Sequence, residues 1–121
     1  MPPHAVGLFS QLLRVSVKVM DCAVPVIAAV NGAAYAGGCE LALACDFIFA
    51  STEAKFALTE VTIGIMPGGG GTQNMPRAMG ERRAKQLILT GAPFTAQQAC
   101  DWGMVNEVHA PGELMNATLA T

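Results

Sequence analysis

The sequence predicts an α/β fold, because two short apolar strands are separated by a glycine-containing loop and a helix. Residues 24–30 are β-branched and apolar on both faces, with Pro25 at the start, which is typical of a parallel strand covered on both sides. After a loop over residues 31–37, residues 38–45 contain helix formers and no β-branched residue, which predicts a buried helix. Residues 46–50 return to a strand. This alternation indicates a parallel sheet with helices packed against it.

The segments on either side of this centre also have clear patterns. Residues 6–20 predict an amphipathic helix, whose apolar stripe consists of Phe9, Leu12, Leu13, Val17 and Met20. Residues 54–57 are compatible with a further short strand. The second half predicts a helix over 81–90, a helix over 96–101 capped by Thr95, a strand over 104–108 and the start of a helix in 112–121.

The composition fits one compact domain with an unusually apolar surface. Hydrophobic residues make up 52% of the 121 residues and charged ones 13%, and the mean hydropathy is +0.41. We therefore expect part of the surface to meet another subunit or a further part of the fold. The formal charge is −2, and the tight basic group is limited to Arg82, Arg83 and Lys85, so nucleic acid is not an expected partner.

The cysteines and the apolar stretches give no sign of a metal site or a membrane span. The four cysteines form no CxxC pair, and His4 and His109 have no metal-ligand spacing with them. The first residues lack a signal-peptide pattern, which predicts reduced thiols and a cytoplasmic location. Residues 23–39 carry no charge, but Pro25, Gly32 and Gly37 divide them into a strand, a turn and a loop, so no span is expected.

The glycine loop before the central helix is a candidate anion or oxyanion site. Gly37 and Gly38 leave backbone N–H groups accessible at the positive end of the helix dipole. Phosphate binding is the competing interpretation. No Gly-Lys-Ser/Thr sequence follows, however, and Gly32, Gly37 and Gly38 lack dinucleotide-binding spacing. An oxyanion role for Gly37 is therefore preferred.

Two glutamates are placed in apolar surroundings near glycine clusters. Glu40 lies in the first turn of the central helix among Gly, Cys, Leu and Ala, and Glu60 precedes the cluster Gly68 to Gly71. If the carboxyls share a pocket, desolvation and mutual repulsion raise one pKa, which suits proton transfer near neutral pH. The alternative is that each carboxyl caps or pairs locally, and the residues by themselves leave both interpretations open.

Nearly the whole chain from Pro25 to Val108 resembles the enoyl-CoA hydratase/isomerase family, also called the crotonase family. The match follows Asn31-Gly32, Gly37-Gly38-Cys39-Glu40-Leu41, Cys45-Asp46 and Pro67-Gly68 in order and spacing. The matching stretches are 26–42, 45–46, 56–60, 64–73, 89–91 and 99–106. Ala36 departs from the pattern, since this position is often glycine in the family.

The resemblance implies a crotonase-like spiral of ββα units, present here in part. Residues 23–110 would form the matched core, 1–22 a lead-in helix and 111–121 the start of a C-terminal helix. The usual N-terminal units and the C-terminal helices are not matched. A segment resembling Ala-Gly-x-Asp-Leu, which supplies a second oxyanion N–H in the family, has no counterpart in residues 1–24. The helix predicted to start in 112–121 has no C-cap, so we expect the parent fold to continue beyond Thr121.

The resemblance also implies a chemistry and a set of site residues. The thioester carbonyl of an enoyl-CoA would accept a hydrogen bond from the Gly37 N–H. Glu40 would activate a water, and Glu60 would transfer a proton at C2. Gly68 would lie near the water and acyl group. No cofactor is implied, since coenzyme A is part of the substrate, and homo-oligomers, trimeric or hexameric, are typical of the full-length family. The alternatives are an enoyl-CoA isomerase, or a weak or silent module that acts through subunit association.

Overall fold

The fold consists of six α-helices and six short strands among the residues that the structure describes. The computed structural model describes the backbone of residues 3–121 and the side chains of residues 10–121. The helices are α1 Pro3–Met20, α2 Gly37–Ala44, α3 Gly71–Met79, α4 Glu81–Thr90, α5 Ala96–Asp101 and α6 Leu114–Leu119, with a 3-10 helix at Glu60–Ile63. The strands are β1 Ile27–Val30, β2 Ala33–Tyr35, β3 Phe47–Ser51, β4 Lys55–Ala57, β5 Phe94–Thr95 and β6 Glu107–His109.

The strands form two three-stranded sheets that the chain visits in turn. One sheet has the order β1-β3-β6 and is parallel throughout. The other has the order β2-β4-β5, in which β2 and β4 are parallel and β5 is antiparallel to β4. The units β1-β2-α2 and β3-β4-α3 each give one strand to each sheet before a helix follows. This confirms the predicted α/β class and the implied ββα repeat.

The core contains large apolar side chains from both sheets and the helices. Phe49, Phe56, Leu58 and Met75 are fully buried. The ring of Phe94 lies 5.8 Å from that of Phe56 and 5.6 Å from that of Trp102. This burial contributes the main favourable free energy of folding.

Two polar side chains fix the ends of the parallel sheet. Asp46 accepts the Val26 N–H at 2.7 Å through Oδ2, and its own N–H donates to the Val26 carbonyl at 2.9 Å. Asn106 accepts the Ile48 N–H at 3.0 Å through Oδ1 and donates its N–H to the Ile48 carbonyl at 2.8 Å. Both pairs set the register in which β1 and β6 flank β3.

The strand predicted over residues 24–30 is shorter and less covered than expected. Regular pairing begins at Ile27, after Pro25, and all four residues of β1 are half-buried. The prediction of a strand covered on both sides is therefore wrong for this chain. β1 lies at the edge of its sheet and pairs only with β3 among the described strands.

Three further strands differ from the sequence prediction. The predicted loop 31–37 contains β2, whose three residues pair with β4, and the two-residue β5 was not predicted. The last strand begins at Glu107 instead of residue 104, since the N–H groups of Met104 and Val105 donate back to the Ala99 carbonyl. Such short strands depend on their partners more than on their own residues.

Only part of the apolar stripe predicted for α1 packs among the described side chains. Leu13, Val17 and Met20 are 45%, 45% and 55% exposed, whereas Leu12 is half-buried and Ser16 is buried. The side chain of Phe9 lies outside the described residues. α1 packs on α2, and Leu12 approaches that helix directly over Gly37, where no side chain intervenes.

The remaining helices agree closely with their predictions. α4 spans residues 81–90, and α2 begins at Gly37, one residue before the predicted start. Thr95 caps α5: its Oγ1 accepts the Gln98 N–H at 3.1 Å, and Gln98 Oε1 accepts the Thr95 N–H at 2.9 Å. The cluster Gly68 to Gly71 leads into α3.

Candidate active site

The start of α2 presents the backbone N–H of Gly37. Ala36 has φ 51° and ψ −118°, and its N–H donates to the Ala57 carbonyl at 2.8 Å. The helical ladder begins with Glu40, whose N–H donates to Ala36 at 3.0 Å. Within the described part of the chain, the Gly37 N–H has no acceptor. It is therefore available for an oxyanion at a helix N-terminus.

The Glu40 carboxyl is completely buried and held by two backbone N–H groups. Its Oε2 accepts the Gly69 N–H at 2.5 Å and the Gly71 N–H at 2.9 Å. Since α3 begins at Gly71, the positive end of that helix faces the carboxyl. Glu40 Oε1 is also buried but has no hydrogen-bond partner in the described structure. One oxygen anchors the side chain and the other is free.

Glycines 69 and 71 are required for this close approach. A Cβ at Gly69 would lie 3.0 Å from Cδ and Oε1 of Glu40. A Cβ at Gly71 would lie 3.0 Å from Leu58 Cδ1 and 3.2 Å from Glu40 Cγ. Contacts this short are tighter than nine in ten real Cβ contacts, so a side chain at either position would force the Glu40 carboxyl or Leu58 to shift.

The Glu60 carboxyl belongs to the same buried group. Glu60 opens the 3-10 helix, is 6% exposed, and has an Oε1 that finds no partner among the described residues. Burial raises the pKa of Glu60, and the charge of the Glu40 carboxyl raises this pKa further, while the backbone N–H of Glu60 itself opposes the shift. The two carboxyls therefore lie close enough to interact electrostatically, which supports the predicted shared pocket over the local-capping alternative.

Cys39 adds an uncharged group beside the pair. It is fully buried, and burial together with the charges of Glu40 and Glu60 raises the pKa of its thiol to about 12. The thiol stays protonated near neutral pH, so Cys39 behaves as a small apolar side chain.

The structure thus places Gly37 and Glu40 in the first turn of α2, with the Glu60 carboxyl near that of Glu40. Gly68 is exposed in the loop directly before Gly69. Sequence reasoning singled out Gly68 and missed Gly69 and Gly71, which contact Glu40. The run of four glycines was the available signal, but it does not show which N–H groups turn towards a carboxyl 29 and 31 residues earlier in the chain.

Comparison with known proteins places this chain in a family. The model of the enoyl-CoA hydratase/isomerase family matches residues 4–121. The chain is 54% identical over 91 residues to a crotonyl-CoA hydratase of Syntrophomonas wolfei, covering 75% of this chain and 35% of that protein. It is 53% identical over 96 residues to an enoyl-CoA isomerase/hydratase of Mycosarcoma maydis, covering 78% and 35%. The chain belongs to the enoyl-CoA hydratase/isomerase family.

A solved relative has the same fold over nearly the whole chain. The crystal structure of an enoyl-CoA hydratase from Bacillus anthracis superposes with a TM-score of 0.95 at 42% sequence identity. The superposition covers 99% of this chain and 47% of that one. The chain therefore spans less than half the length of the relatives it matches, and its fold is the corresponding part of a crotonase fold.

The described residues contain neither a metal-binding cluster nor a membrane-spanning helix. No group of three or more His, Cys, Asp or Glu side chains in this part of the chain is arranged to hold a metal ion. None of the described helices is both long and apolar enough to cross a membrane.

Proposed function

We propose that this chain carries the acid/base half of an enoyl-CoA hydratase site, which adds water across the C2=C3 double bond of a 2-enoyl-CoA. The observation that carries the proposal is the pair of buried carboxyls of Glu40 and Glu60, which lie close enough to interact electrostatically and each have one oxygen without a hydrogen-bond partner in the described structure. A water held between those oxygens has an acceptor on one side and a proton donor on the other.

The two glutamates take different roles in the proposed step. Burial favours the protonated form of Glu60, which delivers its proton to C2. Glu40, anchored through Oε2, accepts a proton from the water with Oε1 as the water oxygen bonds to C3. The proton then passes from Glu40 to Glu60, so that the net reaction adds one water and restores the site. The Gly37 N–H stabilises charge on the thioester oxygen, and Gly68 lies near the water and acyl group.

Isomerisation of the double bond is the second candidate function. One of the similar proteins carries both activities in its name, and a double-bond shift needs one proton-transferring carboxyl, for which Glu60 is suited. The anchored Glu40 favours hydration, because a second carboxyl is needed to activate water.

Crotonyl-CoA hydration by this chain, followed as loss of enoyl-thioester absorbance, tests the proposal. Glu40→Gln and Glu60→Gln should each lower kcat about 10²- to 10⁴-fold, while Glu53→Gln, in an exposed turn, should leave it unchanged. Unchanged turnover in both site variants would show that the pair is not catalytic. A 3-enoyl-CoA substrate separates the candidates, since an isomerase retains its activity in Glu40→Gln.

The hydration rate of the unmodified chain tests the remaining alternative, a catalytically weak or silent module. The absence of one oxyanion donor typically lowers turnover about 10²- to 10³-fold, so the expected rate is well below that of a complete site. No hydration above background would favour a catalytically silent module that acts through association.

A further inference from the structure

Gly91, which ends α4, contacts the 3-10 helix that carries Glu60. It is buried and left-handed, with φ 67° and ψ 14°, and its N–H donates to the Leu87 carbonyl at 2.9 Å. A Cβ at Gly91 would lie 3.2 Å from Val61 Cγ1, 3.2 Å from Thr62 Cγ2 and 3.6 Å from Thr59 Cα. Gly91 therefore touches residues on both sides of Glu60.

These contacts transmit a displacement to the backbone. Val61 and Thr62 are β-branched, so the methyl groups that meet Gly91 are attached directly to Cβ and have little freedom to swing away. Thr62 is further fixed because its Oγ1 donates to the Thr59 carbonyl at 2.6 Å. A side chain at position 91 therefore requires Val61 and Thr62 to move by a few tenths of an ångström, and their stiff side chains favour a movement of the 3-10 helix that carries them.

The same pair of helices supports both carboxyls. α4 packs against α3 and against the 3-10 helix. The N-terminus of α3 binds Glu40 through the Gly71 N–H, and the C-terminus of α4 abuts the helix of Glu60. α4 therefore connects the helix that binds Glu40 with the 3-10 helix that carries Glu60.

We propose that Gly91 is a positioning residue for Glu60, and that its missing side chain sets how deeply Glu60 is seated opposite Glu40. The placement of Glu60 follows from packing alone. The consequence for turnover rests on the proposed hydration.

Titration of the Glu60 carboxyl in Gly91→Ala tests the placement without using activity. The signal is a ¹³C carboxyl resonance, assigned by its loss in Glu60→Gln. Displacement exposes Glu60 and separates it from Glu40, so the pKa of Glu60 should fall towards that of an ordinary glutamate. An unchanged titration in a folded Gly91→Ala protein would overturn the proposal.

Gly64→Ala is the matched control for backbone strain. Gly64 ends the 3-10 helix with φ 76° and ψ 23°, close to the values at Gly91, but a Cβ there would meet nothing within 4 Å. Both variants place an alanine in the left-handed region and so carry the same backbone strain. Only Gly91→Ala adds a close contact with Val61 and Thr62. An equal change in Glu60 titration in both would assign the effect to strain and contradict the proposal.

Removing the methyl groups that collide should restore the site. In Gly91→Ala combined with Val61→Ala and Thr62→Ser, the left-handed strain remains but Cγ1 and Cγ2 are gone, while the hydroxyl of residue 62 is kept. The Glu60 titration should return towards that of the unmodified chain. Failure of this rescue, with the fold intact, would show that the collision is not the cause.

Turnover gives a separate measurement. Gly91→Ala should lower kcat for crotonyl-CoA about tenfold with little change in KM, since small misplacements of a reacting group affect the chemical step most. If no variant hydrates crotonyl-CoA, the proposed function fails while the titrations still decide the role of Gly91.

Discussion

Ala36 is the one residue other than glycine that has a positive φ among the described residues. A side chain at φ 51° and ψ −118° carries a strain of about 1 to 3 kcal/mol. The surrounding structure maintains it, because the Ala36 N–H donates to Ala57 and the Ala36 carbonyl accepts the first helical N–H of α2. Ala36 stands where the family often has glycine, and it therefore introduces backbone strain directly before Gly37.

Ala36→Gly should stabilise the protein. Relief of strain exceeds the added entropy of glycine in the unfolded chain, so the free energy of unfolding should rise by about 1 kcal/mol. Urea and thermal unfolding measure this change in the free energy of unfolding. Ala33→Gly is the control, because Ala33 is exposed on β2 and its φ is not positive. This variant should lower the free energy of unfolding. A similar loss in both variants would contradict the strain at Ala36.

Glu60 links the site to the pH dependence of stability. Its pKa is raised in the folded protein above the ordinary value of 4.5, so the folded state binds the proton over a range in which the unfolded chain has lost it. Stability therefore falls as pH rises from about 4.5 through the raised pKa.

Glu60→Gln should remove this loss, because the amide is neutral at every pH. The variant should match the unmodified chain in stability below the ordinary glutamate pKa and be more stable than it at neutral pH. Urea unfolding across pH 4 to 8 checks both conditions. A stability difference that does not change with pH would show that Glu60 does not titrate differently in the folded protein.

At the scale of elements, local chemistry predicted helix ends well. α5 has six residues and depends on its capping box, in which Thr95 and Gln98 satisfy each other's backbone N–H groups. Gly91 also stands directly after the helix predicted over 81–90 and ends α4.

Thr95→Ala should lower the free energy of unfolding by about 1 kcal/mol through the loss of the cap. Thr52→Ala is the control, since Thr52 is exposed and its side chain makes no hydrogen bond within the described structure. Chemical denaturation of both variants gives the comparison. Equal stability of the two would rule out a stabilising cap at Thr95.

Strands and helix faces were predicted less well, for a physical reason. The alanines of β2, Ala33 and Ala34, have little strand preference of their own and are held by pairing with Lys55 and Phe56. The packed face of α1 was set by where Gly37 allows Leu12 to approach. Both depend on contacts with distant parts of the chain, which a pattern along the sequence does not contain.

At the scale of the whole molecule, several large apolar side chains remain exposed. Ile63, Met66 and Leu89 are 75%, 71% and 70% exposed, and Met66 and Leu89 line one groove with Pro76 and Ile88. This accords with the high apolar content, and with a chain that spans less than half of its relatives. The predicted homo-oligomer remains a prediction.

The chain should self-associate through this apolar surface. Light scattering after gel filtration at micromolar concentration should give a mass above the 12.5 kDa of one chain. Met66→Ser with Leu89→Ser should reduce that mass, whereas Gln86→Ser, on an exposed position of α4, should not. A monomeric unmodified chain would show that the exposed side chains do not drive association.

The sequence by itself determined the α/β class, the helix caps and the choice of Gly37, Glu40 and Glu60, because glycine loops and buried acids stand out against an apolar background. The tertiary structure decided which glycines touch the acids. Gly69 and Gly71 hold Glu40, and Gly91 adjoins the helix of Glu60. These contacts join positions about 30 residues apart, so they depend on how helices and sheets pack and not on the local pattern of residues.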